Sequence, residues 1–224
     1  MSDFDWEQPD EFGGDAFLNL PGTYHMTILD VKTEDKDGAM IEGFRVDMAV
    51  LDGTQKDQRD KKFSATLFNG KSSQKDGGRF ARQRQAAMFV ASGIIGPEHI
   101  PMLLEKKLRG IDLQKMKGRQ LVVTLGEQEY NDKKTNEKKK SLNILSQAIF
   151  HVDDPGAAAF PKDAKAVSIL PKSLRRTAAQ LQAIKDAFSG KKTDPNGGGE
   201  KSKPAPVSPP DDAGTVSQDL TADL

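Results

Sequence analysis

One pattern constrains this chain more than any other: apolar and polar residues alternate with a period of two in several separate stretches. In Met40–Leu51, Phe44, Val46, Met48 and Val50 alternate with Arg45, Asp47 and Ala49. Lys61–Asn69 repeats the device, with Phe63, Ala65 and Leu67 on one face and Lys62, Ser64, Thr66 and Phe68 on the other. Gln120–Glu129 resumes it with Leu121, Val123 and Leu125. Successive side chains of a strand point to opposite faces, so each stretch reads as a strand with one buried face. Thr23–Lys32 and Leu142–Val152 complete a set of five predicted strands.

The period changes between the third and fourth strands. Phe80, Ala87, Met88, Val90 and Ala91 fit a helix over Arg79–Gly93, and Ile100, Leu103, Leu104 and Leu108 fit a shorter one over Glu98–Leu108. Leu174, Ala178, Leu181, Ile184 and Phe188 form a helical stripe over Ser173–Phe188, with Ser173 as N-cap and Gly190 as stop. A stripe of this kind packs on its own body or binds another protein. The expected fold is therefore mainly β with added helices. Five strands, with a helix between the third and fourth, predict a small five-stranded OB-like barrel. An open antiparallel sheet or a sandwich has the same strand count. The expected organisation is an acidic N-terminal arm (1–20), an OB-like nucleic-acid-binding domain (21–154), a linker and packing helix (155–190), and a disordered acidic tail (191–224).

Charge is sorted along the chain. Residues 1–20 carry six acids and residues 205–224 four, with no Lys or Arg in either stretch. The whole chain has 33 basic and 33 acidic residues, so the segment between the ends holds an excess of ten positive charges. A basic body attracts polyanions, and an acidic tail competes for the same surface or recruits a partner. Mean hydropathy is −0.61, low enough to expect part of the chain to remain unpacked. No cysteine is present, which excludes disulfides and thiol chemistry. The dispersed His25, His99 and His151 give no metal-ligand spacing, so no metal and no cofactor are expected. No apolar run approaches the ~18 residues of a membrane span, so the expectation is a cytoplasmic protein without membrane contact.

Two places carry candidate binding chemistry. The connection from Tyr130 to Lys140 holds five lysines (Lys133, Lys134, Lys138, Lys139, Lys140) against two acids. In an OB-fold this loop flanks the binding face. Tyr130 has the opposite parity to Leu121, Val123 and Leu125, so its ring is expected to point away from the core, where it can stack on a base while the lysines hold phosphates. The plainer alternative is a solvated lysine-rich hairpin. The second place is the third strand, where Phe68 lies on the polar face with Lys62, beside Lys61. It is followed by Lys71, Lys75, Arg79, Arg82 and Arg84. Phe68 is either a second stacking platform or a core residue covered by the following helix. Asp30, Glu34, Asp35 and Asp37 cluster at the first turn, but no catalytic triad, HExxH or phosphate-loop signature accompanies them, so no enzyme activity is expected.

Pro21-Gly22-Thr23-Tyr24, Gly118-Arg119-Gln120-Leu121-Val122-Val123, the lysine-rich 131–140 connection and the acidic end together resemble the single-stranded DNA-binding proteins of bacteriophages and bacteria, in particular the phage type. The resemblance covers residues 20–152 and the tip. It implies an OB-type body, non-catalytic binding of single-stranded DNA in replication or recombination, and partner proteins reached through the tail. The chain departs from the bacterial pattern by ending Ala222-Asp223-Leu224 where acids followed by Pro-Phe are usual, which points to a dedicated tail partner. Phosphate contacts are expected from Lys61, Lys62, Arg79, Arg82, Lys133, Lys134, Lys138, Lys139 and Lys140, and base stacking from Phe68 and Tyr130. The alternative is a protein-interaction module that uses the N-terminal arm and the 173–188 helix. Monomer and homo-oligomer are both compatible with the sequence.

Overall fold

A computed structural model describes residues 16–34, 40–69, 78–105, 107, 110–132 and 135–190. The chain is mainly β. Strands β1 (Gly22–Glu34), β2 (Met40–Gly53) and β3 (Lys62–Phe68) form a meander, and two helices follow, α1 (Arg79–Ala91) and α2 (Ile100–Leu104). Strands β4 (Gln120–Asn131) and β5 (Lys138–His151) form a hairpin, and α3 (Ala164–Ser168) and α4 (Ala178–Ser189) close the described chain. All pairings are antiparallel, in the order β3-β2-β1-β4-β5.

The alternation does what it predicts. Phe44, Val46, Met48 and Val50 are buried, as are Phe63 and Leu67 across the β2–β3 ladder. They share one core with Tyr24, Met26, Ile28, Leu121, Val123, Leu125, Ile144 and Ile149. At roughly 1.5–3 kcal/mol for each large apolar side chain withdrawn from water, this face alone commits the chain to a sheet. α1 presses Met88 and Phe89 onto that core, and the Phe89 and Phe44 rings stack at 5.1 Å and 17°.

The expected barrel does not close: among the described residues the sheet is open, with β3 and β5 as its two edges. The β3 edge is occupied from both ends. At its start, Lys62 N donates to Ala16 O and Leu18 N donates to Lys62 O, so residues 16–18 lie beside β3 in a short parallel bridge. Leu18 is buried there, and Asn19 N donates to the buried Gln58 side chain. At its end, Gln85 Nε2 of α1 donates to Leu67 O and to Asn69 Oδ1. On the other side, Arg84 Nη2 donates to Ile144 O of β5. Consecutive residues of one helix thus bond to both sheet edges, and α1 sits across the opening.

Several expected boundaries move: the helix expected over Glu98–Leu108 is a 3-10 turn, Pro97–His99, followed by the short α2, Ile100–Leu104. β5 starts at Lys138, four residues before the expected Leu142, because Lys138, Lys139 and Lys140 pair with Asn131, Tyr130 and Glu129. The connection shrinks to residues 132–137, where Asn136 stands at φ 57°. The last helix starts at Ala178: Thr177, and not Ser173, is its N-cap, in a capping box with Gln180, while Lys172–Leu174 forms a separate 3-10 turn. Before that helix, residues 153–176, which include α3, run as a strap closed on itself by Arg175 to Asp153 and tied to the sheet side by Arg59 to Asp163, Asp163 N to His25 and Gln120 to Ala166 O. The acidic tail expected over 191–224 and most of the N-terminal arm lie outside the described residues.

Candidate nucleic-acid interface

On β3 the polar parity points outward. Lys62 and Ser64 are exposed and Thr66 is half-buried, on the face opposite Phe63 and Leu67. Phe68 ends this row and is 57% exposed, so α1 does not cover it. Its cross-strand neighbour is Gly43. Gly43 has φ 145°, and a Cβ there would collide with the Leu67 carbonyl, so glycine is required where β2 and β3 approach most closely. The Phe68 ring therefore stands beside a position with no side chain.

A charge network surrounds this row. Thr66 pairs with Arg45, and Arg45 with Lys32 on β1. Lys32 Nζ lies 3.4 Å from Asp47 and 3.6 Å from Asp30, Arg45 Nε lies 3.3 Å from Asp47, and Lys117 Nζ lies 2.7 Å from Asp30. Ser64 Oγ donates to Asp47 at 2.6 Å. The hydrogen bond from Lys117 holds the Asp30 carboxyl below its ordinary range. Three cations thus share two carboxylates and leave one positive charge over. Lys32, Arg45 and Lys117 were not among the expected site residues. The parity of Arg45, alternating with Phe44 and Val46, is the signal that could have found it.

β1 begins at Gly22, paired with Leu125, so β4 beyond Leu125 and β5 before Ile144 continue as a two-stranded hairpin past the end of β1. Tyr130 pairs with Lys139, Gln128 with Ser141 and Gly126 with Asn143, which sets these six residues on one face. Leu145, 47% exposed, packs over Gly126. Tyr130 is half-buried. The lysines divide into two kinds. Lys138 is exposed, whereas Lys139 Nζ lies 2.6 Å from the buried Asp132 carboxylate, and Lys140 Nζ lies 2.9 Å from Glu127. Glu127 accepts a hydrogen bond from Lys140 and so raises the Lys140 pKa. Lys133 and Lys134 lie outside the described residues, as do Lys71 and Lys75.

α1 opens with a local conflict. Gly78 precedes it in the left-handed conformation without a side-chain cap, and its first turn carries Arg79 and Arg82 but no acid. Basic residues at a helix N-terminus oppose the macrodipole, so this end concentrates positive potential at some expense of helix stability. Arg79 is exposed, while Arg82 Nε donates to Leu104 O at 2.8 Å and anchors the end of α2. Arg84 is largely withdrawn from water, and that burial lowers its pKa. Through the Gln85 and Arg84 bonds, α1 brings the Phe68 end of β3 and the Ile144 region of β5 to the same helical turn. Lys61 and Lys62 lie apart, about 20 Å from Phe68 at the strand rise of ~3.3 Å per residue.

Other expected features take structural places. The α4 stripe is packed: Leu181 and Ile184 are buried and join the core. His25 and His151 are buried and bind the strap. Asp30 belongs to the network above. Among the described residues no group of three or more His, Cys, Asp or Glu is placed to hold a metal ion, and no helix is long and apolar enough to cross a membrane. The sequence matches no protein-family model and no curated protein.

Proposed function

We propose that this protein is a non-catalytic binder of single-stranded DNA with little sequence preference, acting in replication or recombination of a phage or other mobile element in the cytoplasm of its host cell. The observation that carries the reading is Phe68: a large ring, 57% exposed, at the end of a polar row on the β3 face, two residues along from Thr66, which faces Arg45 on β2. Exposed rings that accept bases, set among charges that hold phosphates, are the shared solution for single-strand binding. The strand order supports it. In an OB-fold the β1-β2-β3 meander pairs with β4 through β1, β5 follows β4, and a helix lies between β3 and β4; this chain has that order with the β3–β5 seam open. The OB face formed by strands 2 and 3 is the Phe68 face here, and the loop between strands 4 and 5 is the lysine hairpin.

In this reading Phe68 and Tyr130 stack on bases. Lys62, Arg79 and Lys138, with Lys61, Lys133 and Lys134, hold phosphates, and Lys32 and Arg45 join them. Lys139 and Lys140 serve first to brace the hairpin through Asp132 and Glu127. The acidic tail competes with DNA for this surface or recruits replication proteins. A protein-interaction module is the weaker reading, because the α4 stripe it relied on is buried against the chain's own core. The test is Phe68→Ala, with binding followed by anisotropy of a labelled oligo-dT. Losing one stacked base, worth about 1–3 kcal/mol, predicts a roughly 5- to 150-fold weaker complex. Unchanged affinity would remove the observation on which the reading rests.

A further inference from the structure

α1 carries a large aromatic residue with much of its surface open to solvent. Phe80, one of the apolar residues whose spacing fits this helix, is 47% exposed, while Ala86, Met88, Phe89, Val90 and Ala91 are buried. The bonds of the next helical turn fix its place. Arg84 reaches Ile144 O on β5, and residues i and i+4 share a helix face, so Phe80 lies on the β5 flank of α1, one turn nearer the N-terminus. Farther along, Ala91, Ser92 and His151 line one small cavity, so α1 and β5 run side by side in the same direction. One turn back from Arg84, about 5.4 Å, therefore corresponds to the part of β5 just before Ile144, next to the Lys138–Ser141 run. The other flank of the same region is fixed by Gln85, which bonds to Leu67 O and Asn69 beside Phe68. Phe80 thus stands at the opening between the two sheet edges, with Phe68 toward one and the lysine strand toward the other, and with the exposed Arg79 adjacent.

We propose that Phe80 is a further base-stacking residue, and that the bound single strand crosses the first turn of α1 between Phe68 and the Lys138–Lys140 strand. This rests on the single-strand reading of the Phe68 face and adds a path across the open seam that strands 2 and 3 alone do not provide. The ligand class is an unpaired nucleobase on a sugar–phosphodiester backbone, because the aromatic surface here is accompanied by Arg79 and Lys138 and not by a continuous apolar patch. A ring that stacks makes no phosphate contact, so its loss changes affinity without changing the salt dependence.

The experiment measures oligo-dT binding by wild type, Phe80→Ala, Phe80→Trp and Phe68→Ala across a salt series, together with photocrosslinking of wild type to an oligonucleotide containing 5-iodo-deoxyuridine and mapping of the attached peptide. The expected result is a roughly 5- to 150-fold loss for Phe80→Ala, recovery in Phe80→Trp, an unchanged salt slope, and a crosslink at Phe80. Phe80→Ala binding within twofold of wild type, with crosslinks confined to Phe68, overturns the path across α1 while the single-strand reading stands. Failure of wild type to retain the oligonucleotide overturns both. The crosslink uses unaltered protein, so a misfolded Phe80→Ala does not spare the proposal.

Discussion

Lowering the pH through the histidine range should destabilise this fold, through two side chains that its sequence scatters and its strap brings into service. His25 is fully buried; its Nδ1 accepts from Asp163 N at 3.1 Å and its Nε2 lies 3.0 Å from Gln120 Oε1. His151 repeats the arrangement, accepting from Asp153 N at 3.1 Å and donating to Leu174 O at 2.9 Å. A ring that accepts at one nitrogen and donates at the other is neutral, and protonating Nδ1 would set two N–H groups against each other. Burial lowers both pKa values. Lys162 adds to this at His25, and Arg176 and Arg175 at His151, against the opposing pull of Gln120, Asp163 and Asp52 on the one and of the Leu174 carbonyl and Asp153 on the other. Above the ordinary value of 6.5 neither folded nor unfolded chain carries these protons, and the histidines contribute no slope. Below it the unfolded chain binds protons that the folded one refuses, so stability falls with pH. The limit is about 1.4 kcal/mol per pH unit for each ring, or about 2.7 for the pair, until the folded values are reached. The carboxylates with lowered pKa, Asp30, Asp52, Glu105, Asp153 and Asp163, act at lower pH, so the two windows separate. Urea midpoints at pH 7.5, 6.5 and 5.5 give the slope, and the amides of Asp153 and Asp163 should lose exchange protection first. A midpoint that stays flat or rises from pH 6.5 to 5.5 refutes the reasoning, as does an undiminished slope in a His25→Gln/His151→Gln variant.

Other residues give sharper local expectations. Gly43→Val should cost about 2–3 kcal/mol or more, because a Cβ meets the Leu67 carbonyl and the φ of 145° is unfavourable to any other residue; chemical denaturation reads this directly. Thr177→Ala removes the side-chain partner of Gln180 N and should lower stability by about 1 kcal/mol, seen as a lower Tm with α4 fraying first by hydrogen exchange. The two kinds of hairpin lysine should part company. Lys138→Ala reduces the salt slope of DNA binding by about 0.7 and leaves hairpin exchange unchanged, whereas Lys139→Ala removes an ion pair to the buried Asp132 and speeds hairpin exchange as well.

What the sequence allowed to be read follows from range. The β2 and β3 alternation needed only neighbouring residues, and it placed Phe63 and Leu67 inward and Phe68 outward. The early start of β5 was hidden because Lys138–Lys140 look like loop until Asn131, Tyr130 and Glu129 are set across from them, and that register is a property of two strands. The open seam depended on Ala16–Leu18 pairing with Lys62, 44 or more positions away, within an arm read mainly for its acids. The strap had no period to detect: its order comes from His25, His151, Arg59 and Gln120, contributed by distant strands and loops. At the site, the outward position of Phe68 was legible through parity, while the ion pairs that turn Lys139 and Lys140 into braces were not.

The central claim is tested most directly by anisotropy of labelled oligo-dT and of a matching duplex, titrated with the full chain at low and moderate salt. The account predicts tighter binding to the single strand, weakening with salt by roughly 0.7 in log–log slope for each phosphate neutralised. Equal or stronger binding to the duplex, or no retention of oligo-dT at low salt, would contradict it.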